Sequence, residues 1–433
     1  MKKLNVCIAG LGNVGSHLIN TIQENNSVIK SKASLVFEIL AVSAKNPKKK
    51  RICNIDSYSW HNQPLDLLNV KNCDVLIELI GEEKGISFDL VKGALEKKIN
   101  VITANKALLA NYGLELFKIA EKNNVLLLFE AAVAGGIPII KTIKNNIFLN
   151  NFKKISGILN GTTNYILTTM MEKGLSFEEV LTIAKSKGFT SDAESELDIG
   201  GLDSAHKLTI LASICFGSQI NFSYNQIKGI SEINIIDIYN ADKLGYKIKL
   251  ISEAYIYDDK IYCVTEPKLI SKKNPLANVD GVLNAIKIET DQLKSLFLEG
   301  EGAGGRATAS SVISDLYEIA SNTSILSLGY KTDELFNYKK INYLNIESLY
   351  YLRIMTKDIA GVLSMITSYF RDFDISIEKI LQIPDNKTNT SIPIIIFTHP
   401  TIRRKLLDAI SLIEKQDFVL EKISIIAIDK SLK

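Results

Sequence analysis

Over the first 130 residues the hydrophobic pattern alternates between two forms. Short, nearly unbroken apolar runs stand at "LNVCIA" (4–9), "LVFEILAV" (35–42), "DVLIELIG" (74–81), "INVITANK" (99–106, ending in a polar turn) and "VLLLFEAAV" (125–133). Runs of this length bounded by polar residues read as strands buried on both faces. Between them, "SHLINTIQ", "DLVKGALEKK" and "LELFKIAEKNN" repeat their apolar residues at helical spacing. Such alternation predicts a parallel sheet with helices on both faces and ligands at the carboxyl ends of its strands.

Beyond residue 130 the pattern changes. "KISGIL" reads as a strand, "NGTTNY" (160–165) as a turn, and a helix begins near Asn164, with Thr162 and Thr163 as its caps or as ligand contacts. "SFEEVLTIAKSKG" (176–188) is an amphipathic helix opened by a Ser176/Glu179 capping box and closed by Gly188. The acid-rich stretch that follows reads as an irregular loop running into the helix "GLDSAHKLTILASICF" (201–216). Residues 331–348 are polar and aperiodic, as in a linker. The remainder reads strand, helix, strand, strand, helix, strand, the βαββαβ order of a ferredoxin-like module. The expected organisation is α/β throughout. A doubly wound domain spans 1–130, with a return segment at about 300–325. A second domain covers 131–305, and a small module at 349–433 follows the linker.

Composition narrows the function without naming it. The chain has 433 residues, 46% hydrophobic and 23% charged, and its net charge of +3 comes from 51 basic and 48 acidic residues. That balance gives no electrostatic case for nucleic acid. No run reaches the roughly 18 apolar residues of a membrane helix, so no membrane is expected. Five scattered cysteines without CxxC spacing suit reduced thiols in a cytoplasm.

The chemistry begins at residue 10. "GLGNVG" places GxGxxG between a strand and a helix, so the backbone of Gly10, Leu11, Gly12, Asn13, Val14 and Gly15 is a dinucleotide cradle. The second strand ends at "SAKNPKKKR" with no acid to read a ribose; Ser43 and Lys45 favour NADP or use of both dinucleotides, the other reading being a solvated basic loop. Ile80, Gly81 and Lys106 lie at or beyond other strand ends, and "EGAGGRATAS" (301–310) offers a second glycine-rich turn through Gly302 and Gly304.

"GFTSDAESELDIGGLDSAHK" (188–207) carries Asp192, Glu194, Glu196, Asp198 and Asp203 and no cation before Lys207. Asp203 and Lys207 are i and i+4 on one helix face, a pairing usually worth a few tenths of a kcal/mol at a surface. The acids before it suggest a pocket for a small cationic substrate. The "GGIP" turn at 135–138 reads as a hinge.

Taken in order, "GLGNVG", "TANKALLA", "EAAVAGGIPII", "NGTTNYI", "DIGGLDSAHKL" and "EGAGGRATAS" resemble homoserine dehydrogenases along essentially the whole chain. The resemblance implies an N-terminal Rossmann-type sheet, a central α+β catalytic and dimerisation domain, and a C-terminal ACT domain. It also implies reversible reduction of L-aspartate 4-semialdehyde to L-homoserine, on the route to threonine and methionine. By motif, Lys207 resembles the proton donor and acceptor, Asp203 the carboxylate holding substrate, and Lys106 the second catalytic lysine. Asp198 and Thr162 match substrate contacts. The acid meeting the substrate ammonium aligns with Asp192 or with Glu194, Asp192 being favoured. Glu130, Val133, Gly135 and Ile137 match a site for a monovalent cation such as Na⁺. "TKDIAGVLSMI" (356–366) is similar to the opening of an ACT domain, which implies L-threonine as effector near Asp358 and Gly361, or a role in assembly alone. A homodimer or homotetramer is expected. Lys207, pressed close to another lysine in a partly dry site, is expected to have a lowered pKa. The alternative reading is a non-catalytic sensor of dinucleotide and amino acid.

Overall fold

Six strands build the first lobe: β1 (Lys2–Ala9), β2 (Leu35–Ser43), β3 (Ser59–His61), β4 (Val75–Glu78), β5 (Asn100–Thr103) and β6 (Leu127–Leu128). They lie in the order β3-β2-β1-β4-β5-β6, all parallel. Helices α1 (Asn13–Glu24), α2 (Asn26–Ala33), α3 (Ile86–Glu96) and α4 (Lys106–Asn123) connect them. Strand order reverses between β1 and β4, and ligands of doubly wound sheets settle in the crevice outside such a reversal. This computed structural model describes residues 2–323, 326–382 and 391–429. Residues 324–325 of the expected return segment, and 383–390 and 430–433 of the expected C-terminal module, lie outside the described residues.

The middle of the chain contributes α5 (Ile139–Lys141), β7 (Phe152–Ile158), α6 (Gly161–Lys173), α7 (Phe177–Ser186), α8 (Asp192–Ile199), α9 (Leu202–Phe216), β8 (Asn225–Ile227), α10 (Ile235–Lys243), β9 (Tyr246–Tyr257), β10 (Lys260–Ser271), β11 (Leu283–Thr290) and β12 (Ser295–Glu301). An antiparallel sheet runs β12-β11-β7-β9-β10. The chain then returns as α11 (Gly305–Ser321), which packs on α1. Val312, Leu316 and Ile319 join Leu18, Ile19 and Ile22 in one buried cluster.

Three elements depart from the sequence reading. The helix expected near Asn164 starts at Gly161, because Asn160, and neither threonine, caps it: its side chain accepts from Thr163 N. The expected irregular loop contains α8. Ser191 Oγ accepts from Glu194 N and donates to Glu194 Oε2, so "SDAE" acts as a helix start. The expected linker is fastened to the second lobe. Phe336 N donates to Gly217 O, Gln219 N donates to Phe336 O, and β13 (Lys339–Lys340) pairs with β10.

The C-terminal part contains β14 (Glu347–Lys357), α12 (Val362–Asp372), β15 (Ile377–Gln382), β16 (Ser391–Thr398), β17 (Thr401–Ile402), α13 (Arg403–Ile413) and β18 (Ser424–Ile428). Its four long strands lie in the order β18-β14-β16-β15. Counting within the module, that is 4-1-3-2. The module's sheet is continuous with the second lobe's, since β18 pairs with β10 at Lys268 and Leu269. One edge of β10 is thus covered in turn by β13, β8 and β18, which leaves no long unpaired edge there. Among the described residues no helix is long and apolar enough to cross a membrane.

Candidate active site

The glycine-rich turn after β1 is shaped for close backbone approach. Gly10 has φ +98°, and a Cβ on it would meet Leu79 O at 2.4 Å. A Cβ on Gly15 would meet Gly10 O at 2.1 Å, so α1 packs against the turn as closely as backbone permits. Gly12 sits at the N-cap of α1 with open space before it, where free N–H groups and the helix dipole attract an anion. Ser43, at the end of β2, is fully buried, and its hydroxyl has no partner. A bound dinucleotide fits this cradle. Lys45 is largely exposed and lies 3.5 Å from Glu82 Oε1. Ile80 N and Gly81 N both donate to the buried Glu78 carboxylate, at 2.9 and 3.1 Å. At the second glycine-rich turn, Gly302 is packed against the Asn284 side chain, while Gly304 is open and has φ +119°.

Lys106 is the first residue of α4, whose N-cap Asn105 accepts from Leu108 N. Lys207 lies one turn inside α9. That helix is buried from Asp203 to Cys215, because apolar and small residues surround it on every side. Helices α4 and α9 pack together across the two lobes. Their contact brings both amines to one carboxylate: Lys106 Nζ is 3.1 Å from Asp203 Oδ1, and Lys207 Nζ is 2.7 Å from Asp203 Oδ2. Lys207 Nζ also donates to Leu159 O at 2.7 Å. Asn160 Nδ2 donates to Asp198 Oδ1 (2.7 Å) and to Asp203 Oδ2 (2.9 Å), while Thr190 Oγ1 donates to Asp198 Oδ2.

The electrostatics follow from this arrangement. Burial would raise Asp203, but the ammonium groups of Lys207 and Lys106 hold it well below the usual carboxylate range. Asp198 is pushed up, first by burial and then by Asp203. Lys106 is raised, chiefly by Asp203, the carboxylate that stands between the two amines. His206, buried against Phe222, is pushed down to about 4 by burial and stays neutral near pH 7.

Two segments of the chain match family models. Residues 10–130 match "Homoserine dehydrogenase, NAD binding domain", and residues 138–317 match "Homoserine dehydrogenase". A homoserine dehydrogenase of Neisseria gonorrhoeae is 37% identical over 99% of both chains. The crystal structure of a homoserine dehydrogenase from Thiobacillus denitrificans superposes with a TM-score of 0.91 at 33% identity, covering 99% of this chain and 98% of that one. The chain belongs to the homoserine dehydrogenase family. It is therefore an oxidoreductase with an NAD(P)-binding domain. A hyperthermophilic archaeal homoserine dehydrogenase mutant in complex with NADPH aligns over 75% of this chain and 99% of that one, at 28% identity and a TM-score of 0.62.

In this homoserine dehydrogenase, Lys106, Lys207, Asp198 and Asp203 come together, and Thr162 lies near them, its hydroxyl donating to Phe189 O at 3.0 Å. Asp192 does not join them. It faces solvent and pairs with Lys185 at 2.8 Å, because the first turn of α8 points it outward. Glu194 is the other acid whose charge is felt at Lys106. The residues matched to a cation lie in the buried turns between Glu130 and Ile137, where several of their oxygens also accept hydrogen bonds from the chain. Glu130 turns both oxygens onto Ile140 N and Lys141 N at 2.9 Å. Gly135 O accepts from Ser311 Oγ, and Ile137 O accepts from Ile139 N; Val133 follows directly in the same buried turn. Asn160 was not singled out in the sequence. An asparagine directly before a helix start is its signal.

Proposed function

We propose that the protein reversibly reduces L-aspartate 4-semialdehyde to L-homoserine with NADPH, and less readily with NADH. The reading is carried by one observation: a single buried carboxylate, Asp203, holds an amine from each lobe, Lys106 at 3.1 Å and Lys207 at 2.7 Å. Substrate drawn between cofactor and Asp203 meets both amines. The dinucleotide, when bound at the Gly10–Gly15 turn, supplies the hydride that reduces the aldehyde carbon. Lys207 Nζ gives the proton that the forming alkoxide needs and takes it back in the oxidative direction. A placed general acid of this kind contributes about 10²- to 10⁴-fold. Lys106 orients the carbonyl oxygen, Asn160 keeps Asp198 and Asp203 together, and Glu194 meets the substrate ammonium. Thr162 lines the same cleft.

NADP is favoured because β2 ends at Ser43 with no acid to claim a 2′-hydroxyl. Lys45, on leaving Glu82, is placed to pair with a 2′-phosphate; the archaeal relative's NADPH complex supports the same choice. The C-terminal module's 4-1-3-2 order supports an ACT-type fold, and the opening segment 356–366 is the basis for proposing L-threonine feedback near Asp358 and Gly361. The protein acts as a homodimer or homotetramer in the cytoplasm, where its free cysteines stay reduced.

The deciding assay measures L-homoserine-dependent reduction of NADP⁺ and of NAD⁺, each with and without L-threonine. Homoserine-dependent reduction faster with NADP⁺ is expected. No reduction at any pH would leave a dinucleotide and amino-acid sensor as the better account. An unchanged rate and melting temperature with threonine would leave the C-terminal module a role in assembly only.

A further inference from the structure

Glu78 closes β4, between Ala9 of β1 and Thr103 of β5 in the sheet. It is fully buried, and its hydrogen bonds all come from neutral donors. Oε1 accepts from Ile80 N, Gly81 N and Ser87 Oγ, the last at 3.0 Å. Oε2 accepts from Thr103 Oγ1 at 2.7 Å. Thr103 Oγ1 in turn accepts from Asn105 N at 3.0 Å, and Asn105 caps the helix whose first residue is Lys106. Asn105 Nδ2 then reaches back to Glu82 O at 2.7 Å.

A carboxylate removed from water without a cation is costly to keep charged. Here it ties two things together: the Ile80–Gly81 turn on the cofactor side, and the cap that aims Lys106 at Asp203. The geometry points to Glu78 as a positioning residue that couples cofactor seating to the placement of the Lys106 amine. It touches neither substrate nor cofactor; it acts through the turn at Oε1 and through Thr103 at Oε2. This inference rests on the dehydrogenase reading for its kinetic part, but dinucleotide binding tests its first arm without any turnover.

The test separates the two arms in the full chain. Glu78→Ala cuts both: NADPH affinity, read by nucleotide fluorescence, falls at least tenfold, and kcat falls at least tenfold. Glu78→Gln keeps a carbonyl oxygen for the three donors at Oε1, and Thr103→Val leaves them untouched. Both hold NADPH within about threefold of wild type while losing kcat. Either change combined with Lys106→Ala costs less than the product of the two separate losses, because both act on one amine. A purely structural role would lower the melting temperature and leave these ratios unchanged. The proposal is overturned if folded Glu78→Ala binds NADPH like wild type, or if Thr103→Val keeps full kcat. It is also overturned if the double-variant losses simply multiply. Should Glu78→Ala fail to fold, Glu78→Gln and Thr103→Val still decide. Wild-type protein without homoserine turnover would remove the reaction and leave the binding arm to be judged by itself.

Discussion

Replacing Asp203 by asparagine changes one atom's charge where two amines meet. The aspartate oxygens receive three donors: Lys106 on Oδ1, and Lys207 with Asn160 on Oδ2. An asparagine keeps one oxygen and turns an NH₂ towards the other side. The better arrangement keeps the oxygen on Lys207 and Asn160 and leaves the NH₂ facing the Lys106 ammonium, donor against donor. At the two separations the charge–charge energies are each about 5–6 kcal/mol at an effective dielectric of about 20. Desolvation offsets much of this, and breaking a buried pair costs roughly 3–5 kcal/mol net. The Lys106 contact is screened, since 41% of that side chain is exposed, and adds no more than about 1 kcal/mol. We expect Asp203→Asn to lose about 3 kcal/mol of stability in urea denaturation and about a hundredfold or more in kcat. The pH profile changes on both sides. Lys106 is raised mainly by Asp203, so without that charge it deprotonates earlier and the alkaline limb of activity moves to lower pH. Asp203 is held below its ordinary 3.8, so its stabilisation is complete above that value and is lost as pH falls through the depressed one. Wild type therefore unfolds more steeply in acid than the variant. A variant with kcat within threefold of wild type and an unmoved alkaline limb would refute the bridging role.

Three further outcomes are expected. Lys207→Ala retains cofactor affinity, measured by nucleotide fluorescence, and loses about 10²- to 10⁴-fold in turnover; normal turnover would remove Lys207 from proton transfer. Glu194→Gln raises the homoserine KM about tenfold with little change in kcat, whereas Asp192→Asn changes it less than twofold; the reverse order in steady-state assays would return the ammonium to Asp192. Arg353→Ala strands the fully buried Asp237, which Arg353 Nε meets at 2.8 Å, and costs roughly 3–5 kcal/mol in urea denaturation. Adding Asp237→Asn recovers part of that loss, and no recovery would show that the arginine acts otherwise.

The sequence carried much of this arrangement, and unevenly. The Rossmann-type lobe is legible because five of its six strands are apolar runs closed by polar turns, and because GxGxxG falls between β1 and α1; the short, polar β3 (Ser59–His61) escapes the pattern. The capping box at Ser176 was read, and it forms. The side-chain cap at Ser191 is not read from the sequence, because the closely spaced acids after it suggest an irregular loop and mask a helix start. Asp192 enters the expected site through its alignment with the family motif, which takes no account of where α8 begins. A helix of eight residues still fixes which side chains face inward, and α8 turns Asp198 in and Asp192 out. The setting of Lys106 is illegible for a different reason. Periodicity placed Asp203 and Lys207 on one face, but only the packing of α4 on α9 puts Lys106 at the other oxygen of the same carboxylate. That contact joins residues about a hundred positions apart, and no local pattern encodes it.

The same argument explains why the active residues are distributed as they are. A lysine that must both give and receive a proton needs a partner whose charge is fixed while its own changes. Asp203 meets that need only if it stays ionised, and burial alone would raise it. Two ammonium groups pull it back, one from each lobe. Separating the lobes at the α4–α9 contact would remove Lys106, and with it part of the force that keeps Asp203 charged. The charge on Asp203 is thus supported from both lobes, more by Lys207 on its own helix than by Lys106 at the sheet end.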